Sequence, residues 1–325
     1  MGAFSMLTRL PLALIAATLS SGLFTMPAQA QRARVFVASY GNDSNPCTFG
    51  SPCKTFQQAI NVVAVGGEVT AIDSAGFGTI TISHSVTITS PPGVEAGIAA
   101  PASGAAAITI NAGLGDIINL SGLTLNGANV PASTGIVFNS GGRLNIQDTV
   151  IRNFDGAGIL FNPIGSPTTS NQIYVANTLI ADNGGGISIG PSGVGGRTYG
   201  ALDHVKIENS VQNGLFVQTL DQEINLTVSE SEIASNGEAG ILANSLGGTE
   251  VNVMVRNSTI ANNVGDGLDA NGSTGTEIRI TRCMITGNKG NAWATASGGF
   301  VFSYGDNTID NNTSSNGLPP LKPYK

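Results

Sequence analysis

The chain has little charge, because only 11% of its 325 residues are Asp, Glu, Lys or Arg. So small a share argues against a solvated helical bundle and against a coiled coil. The 14 basic residues never cluster and the formal net charge is −7, which makes nucleic acids and acidic membrane surfaces poor partners. Histidine occurs twice and cysteine three times, which leaves little material for a zinc site.

What the chain has in abundance is glycine and asparagine, with 44 and 30 residues. Both tolerate left-handed backbone better than most other residues, so the composition predicts very many turns. The hydrophobic share of 41% is enough to bury a sizeable core and argues against a disordered chain.

Residues 1–30 have the pattern of a secretory signal peptide. A single charge, Arg9, precedes an apolar stretch over residues 10–24, and Ala28-Gln29-Ala30 forms a small-x-small cleavage signature. A retained N-terminal anchor is the alternative. No later segment approaches the ~18 apolar residues of a membrane span. We therefore expect a secreted or periplasmic protein whose single mature domain covers residues 31–325.

The cysteines fit export. Cys47 and Cys53 lie six positions apart around turn-forming Pro46, Gly50 and Pro52, and an oxidising compartment favours a disulfide between them. Cys283 stands alone in an apolar-periodic segment, so we expect a small buried residue there.

A repeat dominates the second half of the chain, and it is clearest over residues 144–312. Each copy contains alternating apolar residues, a polar turn, an isoleucine, an Asn-rich turn and a Gly-apolar-x-apolar run. The aligned isoleucines, at steps of 24 to 29 residues, are Ile151, Ile180, Ile207, Ile233, Ile260, Ile285 and Ile309.

Period-two alternation over three to five residues predicts short strands. A propeller blade would need about 40 residues per unit, whereas a coil of three short strands fits this repeat. Stacked coils form a parallel solenoid in which equivalent side chains lie above one another. Upstream runs from Ile80, Val86, Ile108 and Leu123 look like earlier, less regular coils.

Two polar columns flank the aligned isoleucines. We expect both to sit at sharp left-handed bends, and we expect their side chains to hydrogen-bond along the stack. The column two positions after the isoleucine is Asn153, Asp182, Asn209, Ser235, Asn262, Gly287 and Asn311. The column three positions before it is Asp148, Asn177, His204, Glu230, Asn257, Arg282 and Asp306.

The N-terminal region resembles a known family. The segments at residues 35–48 and 51–60 are similar to the N-terminal cap, residues 34–64 here, of secreted right-handed parallel β-helix proteins, the pectin-lyase-like superfamily. This resemblance implies an all-β, single-stranded right-handed β-helix closed by a short helix. Independently of it, Phe56, Ala59, Ile60 and Val63 share one helical face that would cover the raw end of the strands.

The resemblance implies a substrate face between longer loops, because the family includes pectate and alginate lyases, polygalacturonases, epimerases, tailspikes and non-catalytic surface proteins. Here the variable loops, such as 190–200 and 218–225, follow the Gly-apolar-x-apolar strand. They form a functional rim or merely solvated turns. The outward column of that strand places an apolar Phe216 where a sugar ring or a protein could rest.

Candidate chemistry is sparse. Glu238, Asp266 and Asp269 fall close together in the stack and could act as an acid/base pair, bind Ca²⁺, or form a plain acidic edge. Arg197 and Tyr199 are the best candidates for a lyase centre. The Gly-His-Gly expected of polygalacturonases and the Asp-Pro-His-Asp expected of uronan epimerases are missing.

The sequence therefore predicts an exported β-helix module that engages a carbohydrate polymer or a surface partner, with no established catalysis and no obligatory cofactor. A polysaccharide lyase or glycoside hydrolase is the first alternative. A purely structural or adhesive surface protein is the second.

Overall fold

The computed structural model describes Gly2 and residues 32–100, 102–165, 168, 170–314 and 316–323. The predicted signal peptide therefore lies outside the described residues, apart from Gly2. In the part of the chain that is described, no helix is both long and apolar enough to cross a membrane.

The residues from 32 onward form a right-handed parallel β-helix, as predicted. Each complete coil runs through three parallel sheets, which we call sheet 1, sheet 2 and sheet 3 in the order in which a coil visits them. Sheet 1 consists of Arg32–Val37, Val63–Ala71, Val86–Thr89, Ile117–Ser121, Arg143–Gln147, Ser170–Ala176, Arg197–Asp203, Glu223–Ser229, Val251–Arg256, Thr276–Thr281 and Phe300–Ser303.

The other two sheets are made of shorter strands. Sheet 2 consists of Ala75–Gly76, Ala96–Ala99, Leu123–Asn126, Val150–Arg152, Leu179–Ala181, Lys206–Glu208, Glu232–Ala234, Thr259–Ala261, Met284–Thr286 and Thr308–Asp310. Sheet 3 consists of Ile80–Ile82, Ala106–Asn111, Thr134–Ser140, Ala157–Phe161, Gly185–Ile189, Leu215–Thr219, Ile241–Ser245, Leu268–Gly272 and Trp293–Ala296. The upstream coils predicted from Ile80, Val86, Ile108 and Leu123 are thus present.

The predicted isoleucine column is the inner side of sheet 2. Its members, from Ile151 to Ile309, pair in register from coil to coil. All are buried except the half-buried Ile309 of the last coil. Burial of one face therefore fixes the register of these strands, because a slip of one residue would turn each isoleucine towards solvent.

The two polar columns do lie at left-handed bends. Their non-glycine members have φ between 48° and 60°, apart from Asp306, which follows a left-handed Gly305. Some bonds join neighbours within a column, such as Asn209 Nδ2 donating to Asp182 Oδ1 at 3.2 Å.

The continuous amide stack lies one residue beyond the predicted column. Asn236, Asn263, Asn288 and Asn312 point inward, and each Nδ2 donates to the Oδ1 of the next at 2.8 to 2.9 Å. We call this row the asparagine ladder. The first three side chains are completely buried, so the ladder satisfies polar groups that water cannot reach.

The predicted helix is present, but Val63, predicted on its buried face, is the C-cap and begins the strand Val63–Ala71. The helix Phe56–Val62 starts at Thr55, whose side chain accepts a hydrogen bond from Gln58 N, and it buries Phe56, Ala59 and Ile60. Cys47 and Cys53 form the expected disulfide. Asp43 Oδ1 accepts from the backbone N–H groups of Lys54 and Thr55, which ties the cap loop to the helix start.

Cys283 is buried and is not in a disulfide. It occupies a column of small hydroxyl residues on the inner side, in which Ser231 and Ser258 each donate to the carbonyl two residues earlier at 2.7 Å. Cys283 Sγ makes the same contact with Thr281 O at 3.2 Å, so its burial was predicted correctly and its place is that of a serine.

Candidate functional site

The candidate residues lie on two different outer faces of the coils. Asp269 and Phe216 project from sheet 3, and Glu238 and Asp266 occupy the turns that lead into it. Arg197 and Tyr199 belong to a strand of sheet 1. The loops predicted to vary connect sheet 3 to sheet 1. The predicted loop 190–200 is shorter than expected, because its last four residues begin the sheet 1 strand Arg197–Asp203.

The outer column of sheet 3 has the register predicted for it. Its half-buried members pair as neighbours in the order Leu160, Ser188, Phe216, Leu242, Asp269 and Ala294. Asp269 thus lies between an aliphatic side chain and a methyl group. Burial raises the pKa of the Asp269 carboxyl above its ordinary value of 3.8, and the nearby charge of Asp266 raises it further.

Glu238 and Asp266 are held by amides of neighbouring coils. Asn213 Nδ2 donates to Glu238 Oε2 at 2.6 Å. Asp266 Oδ1 accepts from both N and Nδ2 of Asn291. Among the described residues, no three His, Cys, Asp or Glu side chains form a group that could hold a metal ion.

Arg197 and Tyr199 do come together on sheet 1. Arg197 Nη1 lies 3.4 Å from Tyr199 Oη, and Arg197 Nε forms an ion pair with Glu223 Oε2 at 2.9 Å. The hydrogen bond to Tyr199 and the charge of Glu223 raise the pKa of the Arg197 guanidinium. The side chain is therefore already engaged on two sides.

Two shallow hollows lie on the outer face of sheet 1, and Tyr174 lines both. The first, of about 310 Å³, is lined by Tyr174, Tyr199, Gly200, Asn225, Leu226, Thr227, Asn252, Met254 and Arg279. The second, of about 370 Å³, is lined by Asn119, Asn145, Ile146, Gln147, Tyr174, Val175, Ala176, Ala201 and Asp203. We call the two together the sheet 1 groove.

Aromatic and amide side chains lie next to one another in the groove. Tyr174, 37% exposed, lies under the guanidinium of Arg143 at 5.6 Å from ring centroid to Cζ. Asn145 Nδ2 donates to Asn119 Oδ1 at 2.6 Å, and Arg279 Nη2 donates to Asn252 Oδ1 at 2.7 Å. These contacts hold the polar side chains in place before any ligand arrives.

Sequence reasoning found Tyr199 but missed the rest of this groove. The signal was present, since Tyr174, Met254 and Arg279 each stand between two inward apolar residues of a strand, as in Ile173-x-Val175. Those positions face outward by the same alternation that placed Phe216.

Neither histidine is among the lining residues of the groove, although His204 contacts one of them. His204 is at a left-handed bend with φ 52°, and its Nδ1 lies 2.9 Å from Asp203 Oδ2. His84 Nε2 is buried and has no hydrogen-bond partner within the described ranges. The Asp203 carboxyl accepts from Ser229 Oγ, and this bond followed by the contact with His204 lowers its pKa.

The comparisons with known proteins agree with this architecture. The model of the family described as right handed beta helix region matches residues 134–314, and the chain belongs to that family. A search of curated proteins finds no match.

Solved structures are similar in fold at low sequence identity. A pectate lyase, Pel9A, has a TM-score of 0.62 at 13% identity, covering 88% of this chain and 78% of its own. The A-module of the mannuronan C-5 epimerase AlgE4 from Azotobacter vinelandii has a TM-score of 0.47 at 13% identity over 80% and 89% of the chains. A polygalacturonase from Erwinia carotovora ssp. carotovora has a TM-score of 0.46 at 12% identity over 88% and 97%.

Proposed function

We propose that the protein binds a polysaccharide chain along the sheet 1 groove and that it does so outside the cytoplasm. The observation that carries the proposal is that one hollow is lined by two tyrosine rings, Tyr174 and Tyr199, and by the amides of Asn225 and Asn252. Sugar rings present C–H faces that pack on aromatic rings, and their hydroxyls hydrogen-bond with amides, which both donate and accept.

The shape of the groove supports a polymer over a small molecule. Its lining residues run from the strand Ile117–Ser121 to the strand Thr276–Thr281. Six strand spacings of ~4.8 Å separate these strands, so the face is about 29 Å long. Parallel stacking repeats the outward positions at each step, which suits a ligand that is itself a repeat.

Two further observations support the proposal. The solved structure with a TM-score of 0.62 is that of a pectate lyase, so a related fold serves polysaccharide chemistry. The Cys47–Cys53 disulfide is typical of oxidising compartments such as the periplasm and the extracellular space.

Binding to immobilised or soluble polysaccharides, measured by affinity electrophoresis and calorimetry, tests the proposal. We expect Tyr174→Ala to weaken binding about tenfold, which corresponds to ~1.4 kcal/mol. Phe216→Ala is the matched control, because it removes a half-buried ring from sheet 3 and should leave the affinity unchanged. Equal losses in both variants, or binding of no polymer by the wild-type protein, would contradict the proposal.

A second candidate is cleavage of a glycan on sheet 3, and the raised pKa of Asp269 favours it, because a carboxyl that retains its proton can act as a general acid. Asp266 would then supply the second carboxylate. The same mixtures, assayed with and without Ca²⁺ for new reducing or unsaturated ends, test it. Turnover that Asp269→Asn abolishes would support an enzyme on this face, and turnover that only Arg197→Ala abolishes would place it on sheet 1.

A further inference from the structure

The sheet 1 groove offers very little unbalanced positive charge. Among its lining residues in the described part of the chain, the charged ones are Arg279 and Asp203. Asp203 is anionic at neutral pH, because the hydrogen bond from Ser229 and the contact with His204 lower its pKa. The lining therefore carries one cation and one anion.

The cation in the lining is already paired. Arg279 Nη2 lies 3.0 Å from Glu277 Oε2 and 2.7 Å from Asn252 Oδ1. Glu277 also binds Lys322 through its other oxygen, so two cations share one carboxylate at this end of the groove. An incoming carboxylate would compete with Glu277 in a pair that is only 16 to 30% exposed, and breaking such a pair is costly.

One arginine on the rim of the groove repeats this pairing with a carboxylate, and two do not. Arg197 is paired with Glu223 at 2.9 Å, and Arg34, farther along the same sheet, is paired with Glu68 at 3.0 Å. Arg143 differs, since it donates to Gln172 Oε1 at 2.6 Å and covers the Tyr174 ring. Arg256 is exposed, and its charge acts on Asp203.

Binding of a polyanionic polysaccharide needs a different distribution of charge. Recognition of repeated carboxylates requires cations in excess along the path of the ligand, or bound divalent ions. The whole chain has a formal charge of −7, so the long-range field also repels a polyanion. The groove instead presents rings, amides and a thioether, whose interactions do not need charge on the ligand.

We infer that the sheet 1 groove takes an uncharged polysaccharide, a polymer of neutral sugars without carboxylate or sulfate groups. This inference rests on the proposed function and specifies its ligand. Tyr174, Tyr199 and Met254 provide the surface for the sugar rings. Asn225 and Asn252 bond to the hydroxyls, and the carboxylates of Glu223 and Glu277 exclude uronate chains.

The experiment compares the binding of neutral polymers (a β-glucan, a mannan and a galactan) with the binding of polygalacturonate and alginate. Each is measured with and without Ca²⁺, at low and at high salt. We expect at least one neutral polymer to bind with an affinity that changes less than about twofold between 0.01 and 1 M salt, over which the Debye length falls from ~30 to ~3 Å. We expect the polyuronates to bind at least about tenfold more weakly.

Glu223→Gln sharpens the test, because it retains the acceptor for Asn225 Nδ2 and removes the charge that balances Arg197. We expect a gain in polygalacturonate affinity of about threefold or more at low salt, which disappears at high salt. Glu232→Gln is the matched control. It makes the same charge change on sheet 2, where Glu232 lies 3.9 Å from Lys206, and it should produce no gain.

The outcomes separate the two hypotheses. Tight, salt-sensitive binding of a polyuronate by the wild-type protein would overturn the inference and leave the proposed function standing. Binding of no polymer of either class would overturn both. Neutral binding that Tyr174→Ala weakens, together with the Glu223→Gln gain, supports both.

Discussion

The outer faces of sheet 1 and sheet 3 belong to the same coils but differ in how their carboxylates are paired. On sheet 1 the carboxylates of Glu223 and Glu277 each lie within 3.0 Å of an arginine. On sheet 3 the Asp269 carboxylate has aliphatic neighbours and an acidic one, Asp266. Stacking constrains the inner side of a coil, whereas the outer side is free to differ, and here one face has become a polar groove.

The largest expected effect on stability comes from disrupting the asparagine ladder, which lies inside the coils that carry both faces. Asn263→Ala removes the acceptor of both the backbone N–H and the side-chain Nδ2 of the buried Asn236. It also removes one of the two hydrogen bonds to Asn288 Oδ1. We expect a loss of about 2 to 4 kcal/mol in the free energy of unfolding, measured by urea denaturation.

The neighbouring residue provides the control for that substitution. Asn262 is exposed at φ 57°, where glycine is tolerated, so Asn262→Gly should change the free energy by less than about 1 kcal/mol. Similar losses in both variants would show that the bend, and not the buried ladder, holds the coils together.

An intermediate effect should follow from removing a carboxylate on sheet 1. Glu277→Gln separates Arg279 and Lys322 from their shared partner, and we expect a loss of about 1 kcal/mol that is larger at low salt. Urea denaturation at two salt concentrations measures it. An unchanged stability at low salt would mean that the charge pairs of sheet 1 do not stabilise the fold.

The smallest effect, with the opposite sign, is expected from removing a carboxylate on sheet 3. Because the folded pKa of Asp269 lies above its ordinary value of 3.8, the folded state binds more protons and loses stability as the pH rises from that value through the folded pKa. Asp269→Asn should therefore stabilise the protein at pH 7, by less than about 1 kcal/mol.

Thermal unfolding of both proteins from pH 3 to 8 measures this prediction. The advantage of Asp269→Asn should shrink as the pH falls and vanish below about 3.8, where the wild-type carboxyl is protonated in both states. A variant less stable than wild type at pH 7 would show that the Asp269 carboxylate has a stabilising partner after all, and the contrast between the two faces would fail.

Much of the β-helix was predictable from the sequence, because every coil needs the same kinds of buried residue at equivalent positions. The isoleucine column, the cap helix, the disulfide and the register of Phe216 with Asp269 all followed from alternation and spacing. Asparagines in adjacent positions, as in Asn262-Asn263, hid the ladder, since only the left-handed bend decides which of the two turns inward.

The groove was harder to predict for a different reason. Alternation shows that Tyr174 and Met254 face outward, but not which outward face is hollow, because that depends on the size of side chains in neighbouring coils. The Arg279–Glu277 pair was likewise hidden, although its members stand two positions apart, since ion pairing depends on side-chain geometry.

The asparagine ladder has a direction as well as a length. Each of its first three amides donates one N–H to the next amide towards the C-terminal end of the molecule, so the dipoles of the amides add along the axis of the β-helix. Hydrogen bonds arranged head to tail polarise and strengthen one another. The ladder therefore gives the interior of this protein a net dipole along the β-helix axis, with its positive end at the last coil.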